Sequence, residues 1–388
     1  MKKYEYLSKQ LEELRENAQF RSLTSISDVQ YTLIRTNTAF DTEKILFCSN
    51  NYLNLAQDSR IIKAGIEAIK KYGFGSGASR LISGTLKPHT DLEQTVAQWL
   101  GKERGLYLPS GWMANQALLT CLPQKGDLVL SDRLNHASII DAIRTGPADF
   151  RTYRRGQSDR IKKYLENSKY NSRFIVTETI FSMDGDCPDL TALVDLKNRY
   201  NAILILDEAH GLGCFGSTGA GWAEHQNLLH EADIIVAPLG KAAASSGAII
   251  AGPTVVIEYL INKARPFIYT TAPSASCAAA AMAAVKIMQT EPDRRHRLQE
   301  NADYLRGRLR QIGIDTGQST SQIVPAIIGD SEKTLHISRE LDKQGFFIPA
   351  IRSPTVPPGT ARLRISLQCN HTKAQMDHLC SILQTLIH

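Results

Sequence analysis

The chain has 388 residues, of which 43% are hydrophobic and 22% charged, with a formal net charge of +6. Those values describe a folded globular protein and exclude collagen-like or wholly disordered chains. The basic residues are scattered apart from short clusters, Arg151 to Arg155 and Arg294 to Arg297, that read as solvated faces. Nucleic-acid binding therefore has no support, whereas an acidic ligand such as coenzyme A or an acyl carrier protein would be attracted. Single cores stop growing near ~250–300 residues, so one large domain and a smaller one are expected. In chain order, Leu7, Leu11 and Leu14 recur at helical spacing and predict a helix within residues 1–20, followed by a polar arm to Thr42. Residues 1–44 form this helix and arm. From Ile45, short apolar runs alternate with helical segments; the clearest strands are Gly105–Leu108, Leu128–Leu130, Phe174–Thr177, Ile203–Leu206, Ile234–Ala237 and Ala248–Ala251. That alternation predicts an α/β domain over residues 45–282 with a mostly parallel sheet. The Ala-rich stretch Ala278 to Val285 is too short to span a membrane and reads as a buried helix.

Beyond Met282 a smaller α+β domain is expected over residues 283–388. It contains the segment Gln322–Ile328, a helix around Ser331–Gln344, a hairpin-like pair from Phe346 to Leu367 and a final helix from Thr372. Seven cysteines lie far apart without a C-x-x-C pair, which points to free thiols in a reducing compartment. The first residues, with Lys2, Lys3 and Glu5, lack the apolar run of a signal peptide. A cytoplasmic protein is expected.

Two strand ends carry the chemistry. Ile234 to Ala237 leads through Pro238-Leu239-Gly240 to Lys241, among residues too small to cover the amine, and a primary amine so placed suits Schiff-base formation. Ile203 to Leu206 ends in Asp207-Glu208-Ala209-His210. An amine, a carboxylate and an imidazole at strand ends suit a pyridoxal phosphate enzyme, which needs a Lys for its aldehyde and a carboxylate for its ring nitrogen. His210 is then placed to hydrogen-bond the phenolic oxygen. Asp-Glu-Ala-His is also the magnesium box of helicase-type ATPases, but such enzymes need a G-x-x-x-x-G-K-[ST] loop. Gly-Lys occurs only at Gly101-Lys102, before Glu103, and at Gly240-Lys241, before Ala242. No metal site is expected.

In open α/β sheets ligands lie beyond the carboxyl ends of the strands. After Leu108, Pro109-Ser110-Gly111-Trp112-Met113 opens a helix whose amides at Gly111, Trp112 and Met113 offer a phosphate site; the same turn is also an ordinary strand-to-helix connection. After Leu130 comes His136, either a helix cap or a stacking partner for a cofactor ring. After Thr177 come Glu178 and Ser182, of which Ser182 is placed near the cofactor. Arg364, in the strand-like Leu363-Arg364-Ile365, is either a surface residue or a fork for a substrate carboxylate.

The ordered set Ser49-Asn50-Asn51-Tyr52-Leu53, Gly75-Ser76-Gly77-Ala78-Ser79-Arg80, Ser110-Gly111-Trp112, His136, Phe181 to Asp186, Asp207 to Gly211 and Gly240-Lys241-Ala242 resembles the α-oxoamine synthases. These are fold-type I pyridoxal phosphate enzymes that join an amino acid to an acyl thioester with loss of carbon dioxide. The resemblance runs from about residue 21 to the C-terminus. Within the family, Pro354 to Ser366 is most similar to the biotin-pathway branch, which condenses L-alanine with a pimeloyl thioester carried by coenzyme A or a carrier protein; glycine- and serine-using members are the alternative, and a non-catalytic relative is another. The resemblance implies a homodimer with shared active sites. It also implies that Lys241 bonds pyridoxal 5'-phosphate, His136 stacks on the ring, Asp207 meets its nitrogen and His210 its phenolic oxygen, with Ser182 lining the site and the partner's Thr355 reaching the phosphate. Glu178, Asn50 and Arg364 fall to the amino acid, and Arg21 to the acyl chain. Two departures stand out. The family's hydroxyl three residues before the Lys is replaced by Pro238, and its bulky residue and Gly after the Lys by Ala243 and Ala244.

Overall fold

A computed structural model describes residues 3–17, 19–27, 31–36, 43–167 and 169–387. Part of the expected polar arm, residues 28–30 and 37–42, lies outside the described residues. The chain divides into two compact units, one of residues 51–182 and 186–298, the other of residues 1–50, 183–185 and 299–388. The division after Leu298 falls inside the helix Pro292–Gln311, whereas the boundary expected from the sequence lies near Met282, within or just after the Ala-rich stretch. The Ala-rich segment belongs wholly to the larger unit, as the helix Ala275–Thr290.

The larger unit is built on seven strands: β1 (Arg104–Leu108), β2 (Leu128–Asp132), β3 (Asp149–Tyr153), β4 (Arg173–Glu178), β5 (Ile203–Asp207), β6 (Ile234–Pro238) and β7 (Ala248–Gly252). Their order across the sheet is β1-β7-β6-β5-β4-β2-β3. Only β7 runs against its neighbours, so the expected mostly parallel sheet is present. The central strands are apolar at successive positions because both faces are covered, and β5 and β6 are buried along most of their length. One face packs Val129, Val176, Ile205, Val236 and Ile250 against Ala117 and Leu118 of the helix Gly111–Cys121 and Ile139 of the helix Ala137–Thr145. The helix Ala275–Thr290 packs on the helices Ser59–Tyr72 and Lys87–Trp99, turning inward a row of small residues, Ala275, Ala278, Ala281 and Ala284. The edge strand β3 does not stand out in the sequence. It is mostly exposed and carries Asp149, Arg151 and Thr152, the polar composition that protects a sheet edge from further pairing.

In the smaller unit the helix Glu5–Glu16 forms as the leucine spacing predicts, and it leaves Leu7, Leu11 and Leu14 exposed. Glu43–Leu46 pairs with Leu33–Arg35 on one side and with Phe346–Phe347 on the other. The expected hairpin from Phe346 to Leu367 is therefore split. Phe346–Phe347 joins the N-terminal strands, and it is Ala350–Ile351 that folds back on Ala361–Ser366, with Ile323–Gly329 on the far side of that strand.

Candidate active site

In the larger unit the parallel ladder brings the ends of β4, β5 and β6 side by side. Glu178 pairs in register with Asp207, and Asp207 with Val236. Asp207 is 4% exposed and accepts at both carboxyl oxygens, Oδ1 from the Ala209 amide at 2.9 Å and Oδ2 from Asn115 Nδ2 at 3.0 Å. The same Asn115 nitrogen lies 3.0 Å from Ser138 Oγ. One amide side chain thus ties the helix after β1 to the carboxyl at the end of β5 and to the helix after β2. Asn115 has no role in the sequence reading above. The available signal was its place one turn inside the helix that follows a strand.

Glu178 Oε2 accepts the His136 amide at 2.6 Å. Burial pushes the Glu178 carboxyl up to about 8; the nearby Asp207 acts in the same direction and Lys241 against it. His136 caps the helix Ala137–Thr145, its Nδ1 accepting from the Ser138 amide at 3.2 Å. Its ring meets Trp112 edge-on at 6.4 Å. Burial lowers the His136 pKa, with Asp207 opposing and Lys241 assisting, so the ring is held neutral. Capping and a place beside the carboxylates thus coincide in one residue. The mutual influence of Glu178, Asp207, His136 and Lys241 puts all four in one electrostatic neighbourhood.

Lys241 is half-buried in a closed turn after β6. The Leu239 amide donates to Gly247 O at 2.9 Å, Ser245 to Leu239 O at 3.0 Å, and Ala244 to Lys241 O at 2.9 Å. Ala244 adopts φ 49°, the left-handed region where a Cβ costs roughly 1–2 kcal/mol. This is the position where the α-oxoamine pattern has Gly. His210, 3% exposed, has Nδ1 2.7 Å from the hydroxyl of Tyr52, a second residue to which the sequence assigned no role. Ser182 is half-buried in the turn after β4.

At the helix start that the sequence offers as a phosphate site, one amide is already engaged. Ser110 Oγ accepts the Met113 amide at 3.1 Å, so of the three expected amides those of Gly111 and Trp112 remain directed out of the helix start, and Met113 serves the cap. A Cβ added at Gly111 would lie 3.2 Å from Pro238 Cγ, so the proline ring packs where the backbone comes closest. Pro238 has neither a hydroxyl nor an amide hydrogen to offer an anion. Two amides at a helix start, a fixed carboxyl, a neutral imidazole and an amine nonetheless form a donor set that fits pyridoxal phosphate.

In the smaller unit Arg364 is 8% exposed, in a strand buried along its whole length, and is not the surface residue that alternation allowed. Its Nη1 donates to Ser366 Oγ at 2.7 Å and its Nη2 to Asn50 Oδ1 at 3.3 Å. Arg21 Nη2 donates to Thr355 Oγ1 at 3.2 Å, and both line a cavity of about 750 Å³ with Phe20, Arg339, Ile348 and Arg352. Burial, with Arg21 and Arg339 close by, lowers the Arg352 pKa.

The sequence pattern of the aminotransferase class I and II family matches residues 42–383. The chain belongs to this family. Among its relatives it is 40% identical over 371 residues to an 8-amino-7-oxononanoate synthase of Geobacter sulfurreducens, covering 95% of this chain and 94% of that one. It is 38% identical over 376 residues to one of Thermosipho melanesiensis, covering 96% and 95%. Among solved structures it is similar to a serine palmitoyltransferase from S. paucimobilis with bound PLP-myriocin aldimine, at TM-score 0.92 and 28% identity over 99% of this chain and 97% of that one. An 8-amino-7-oxononanoate synthase from Francisella tularensis superposes at TM-score 0.77 and 29% identity, over 88% and 97%.

Proposed function

We propose that this protein catalyses the pyridoxal phosphate-dependent decarboxylative condensation of L-alanine with a pimeloyl thioester, giving 8-amino-7-oxononanoate, carbon dioxide and the free thiol. The observation that carries the reading is the neighbourhood of Lys241, Asp207, Glu178 and His136 at adjacent strand ends, in a chain whose curated relatives at about 40% identity bear that enzyme's name. Bound, the cofactor's pyridinium ring supplies an electron sink for the negative charge that develops on the amino acid's α carbon. Asp207 holds the ring nitrogen's proton, its own oxygens fixed by Ala209 and Asn115. His136 stacks as a neutral imidazole, and His210 donates to the phenolic oxygen. The Gly111 and Trp112 amides take the phosphate, with Ser182 beside the ring. Lys241 would hold the cofactor, and its free amine would serve as the base for the amino acid's α proton. Arg364 and Asn50 would receive the amino-acid carboxylate, Glu178 would line the substrate site, and Arg21 would meet the acyl chain.

A homodimer with shared sites accompanies this reading. Phe74, Ile82 and Tyr269 are 82%, 81% and 71% exposed, and the segments bearing them are joined by a bridge between Ser79 and Thr271. Exposed apolar side chains of this size call for a covering partner, here a second copy whose Thr355 completes the phosphate site. A cytoplasmic location suits the seven free thiols. No helix among the described residues is long and apolar enough to cross a membrane. The donor is carried by coenzyme A or by an acyl carrier protein.

Pro238→Thr tests the cofactor assignment. A restored hydroxyl adds one hydrogen bond to a charged group, worth roughly 1.5–3 kcal/mol, so cofactor loss on dialysis should slow by about 10- to 150-fold. Equal loss from both proteins would mean that the remaining phosphate contacts already suffice.

Donor choice tests the reaction. Pimeloyl exceeds succinyl by three methylenes, and at roughly 0.8 kcal/mol for each one buried the preference in kcat/KM should be about fiftyfold. Alanine differs from glycine by a single methyl, so amino-acid preference is expected to be milder. Release of free thiol, followed with pimeloyl-, succinyl- and acetyl-CoA against alanine and glycine, and with palmitoyl-CoA against serine, decides. Equal or faster turnover of the short donors with glycine, or of palmitoyl-CoA with serine, would replace the biotin-pathway reading with another member of the same family.

A further inference from the structure

The hydroxyl of Tyr52 lies 2.7 Å from Nδ1 of His210, with Tyr52 0% and His210 3% exposed. A buried contact of this length holds the orientation of the imidazole, and the direction of the hydrogen bond goes with the tautomer. When the phenol donates to Nδ1, the single proton of the neutral ring must sit on Nε2. The segment bearing Tyr52 is clamped to make that contact. Asn51 Oδ1 accepts the amides of Leu55 at 3.0 Å and Ala56 at 3.3 Å. Arg294 donates to Leu53 O at 3.0 Å and is itself held by Asp58 at 3.1 Å and Glu291 at 2.9 Å. His210, in turn, stands on the same turn as Asp207, whose Oδ1 is tied to the Ala209 amide. A side chain more than 150 residues upstream therefore fixes the ring that follows the carboxyl in sequence.

We infer that Tyr52 is a positioning residue that fixes the His210 tautomer with its proton on Nε2, so that His210 is a hydrogen-bond donor to the cofactor's phenolic oxygen. This rests on the placement of His210 at that oxygen proposed above. Donation to the phenolic oxygen sets the balance between the protonation forms of the bound cofactor, which absorb at different visible wavelengths. A residue that only fills space would leave that balance untouched.

The experiment uses the holoenzyme at one fixed pH and reads the ratio of its two visible bands together with kcat. Tyr52→Phe keeps the ring and removes the donor; it should change the band ratio and lower kcat about tenfold, the value of one hydrogen bond. In a His210→Asn background the same substitution should change neither quantity further. Replacing Tyr52 by 3-fluorotyrosine preserves the packing and makes the hydroxyl a stronger donor, so the band ratio should move in the opposite direction. That arm holds even where Tyr52→Phe fails to fold. Normal bands in the wild type with an unaltered ratio in both altered proteins, or a tenfold loss that persists in the His210→Asn background, overturns the role of Tyr52 alone. A wild-type protein that takes up no cofactor overturns the proposed function itself.

Discussion

Lys241→Ala is expected to lose the covalent adduct that borohydride traps in the wild-type protein, and turnover with it. A Schiff base needs a primary amine, and among the residues at the ends of β4, β5 and β6 and in the turns that follow directly, Lys241 carries one. Its turn is closed by backbone hydrogen bonds from Ala244 and Ser245, which do not depend on the side chain, so truncation should leave the loop in place. Two proposed contributions of Lys241 then vanish together, the covalent anchor and the base for the α proton. The second alone is worth roughly 10²–10⁴-fold. Peptide mass analysis after reduction reads the result: a cofactor-bearing peptide that includes Lys241 in the wild type and none in the variant. An adduct retained on a different lysine would remove Lys241 from its role.

Lys241 and Asp207 were legible because the strands before them announce themselves. Ile203 to Leu206 and Ile234 to Ala237 are unbroken apolar runs, as strands covered on both faces must be, and an ionisable residue at the end of such a run has few structural reasons to be there. The departures at Pro238 and Ala244 were legible too, and they acquire physical content in the fold. Pro238 packs on the Gly111 backbone, and Ala244 occupies a conformation suited to glycine. What escaped depends on distance along the chain. Asn115 meets Asp207 across 92 residues, and Tyr52 meets His210 across 158, with no local periodicity to mark either. Strand β3 escaped because an edge strand need only be apolar on part of one face, and its charges resemble those of a loop. The split of the expected hairpin has the same origin. Phe346–Phe347 is as strand-like as Ala350–Ile351, and only the presence of Glu43–Leu46 decides that the first pair goes elsewhere.

Asp207→Asn is expected to leave the protein folded and the cofactor attached, yet to reduce kcat by roughly two to four decades. The substitution conserves shape but not hydrogen-bond polarity. Asp207 accepts at both oxygens, from the Ala209 amide and from Asn115 Nδ2. An asparagine offers one acceptor and one donor group, so keeping the bond to Ala209 turns its NH₂ toward the NH₂ of Asn115, and flipping it sacrifices Ala209 instead. The same change removes the negative charge proposed to hold the pyridinium proton. Breaking one side of a buried ion pair costs roughly 3–5 kcal/mol, and at about 1.4 kcal/mol per decade that accounts for the expected loss. The cost falls on the charge that develops during the reaction and not on the resting attachment through Lys241. Borohydride should therefore still trap the adduct on Lys241 in a protein that has lost nearly all turnover. Undiminished turnover in Asp207→Asn would show that a different group keeps the ring nitrogen protonated.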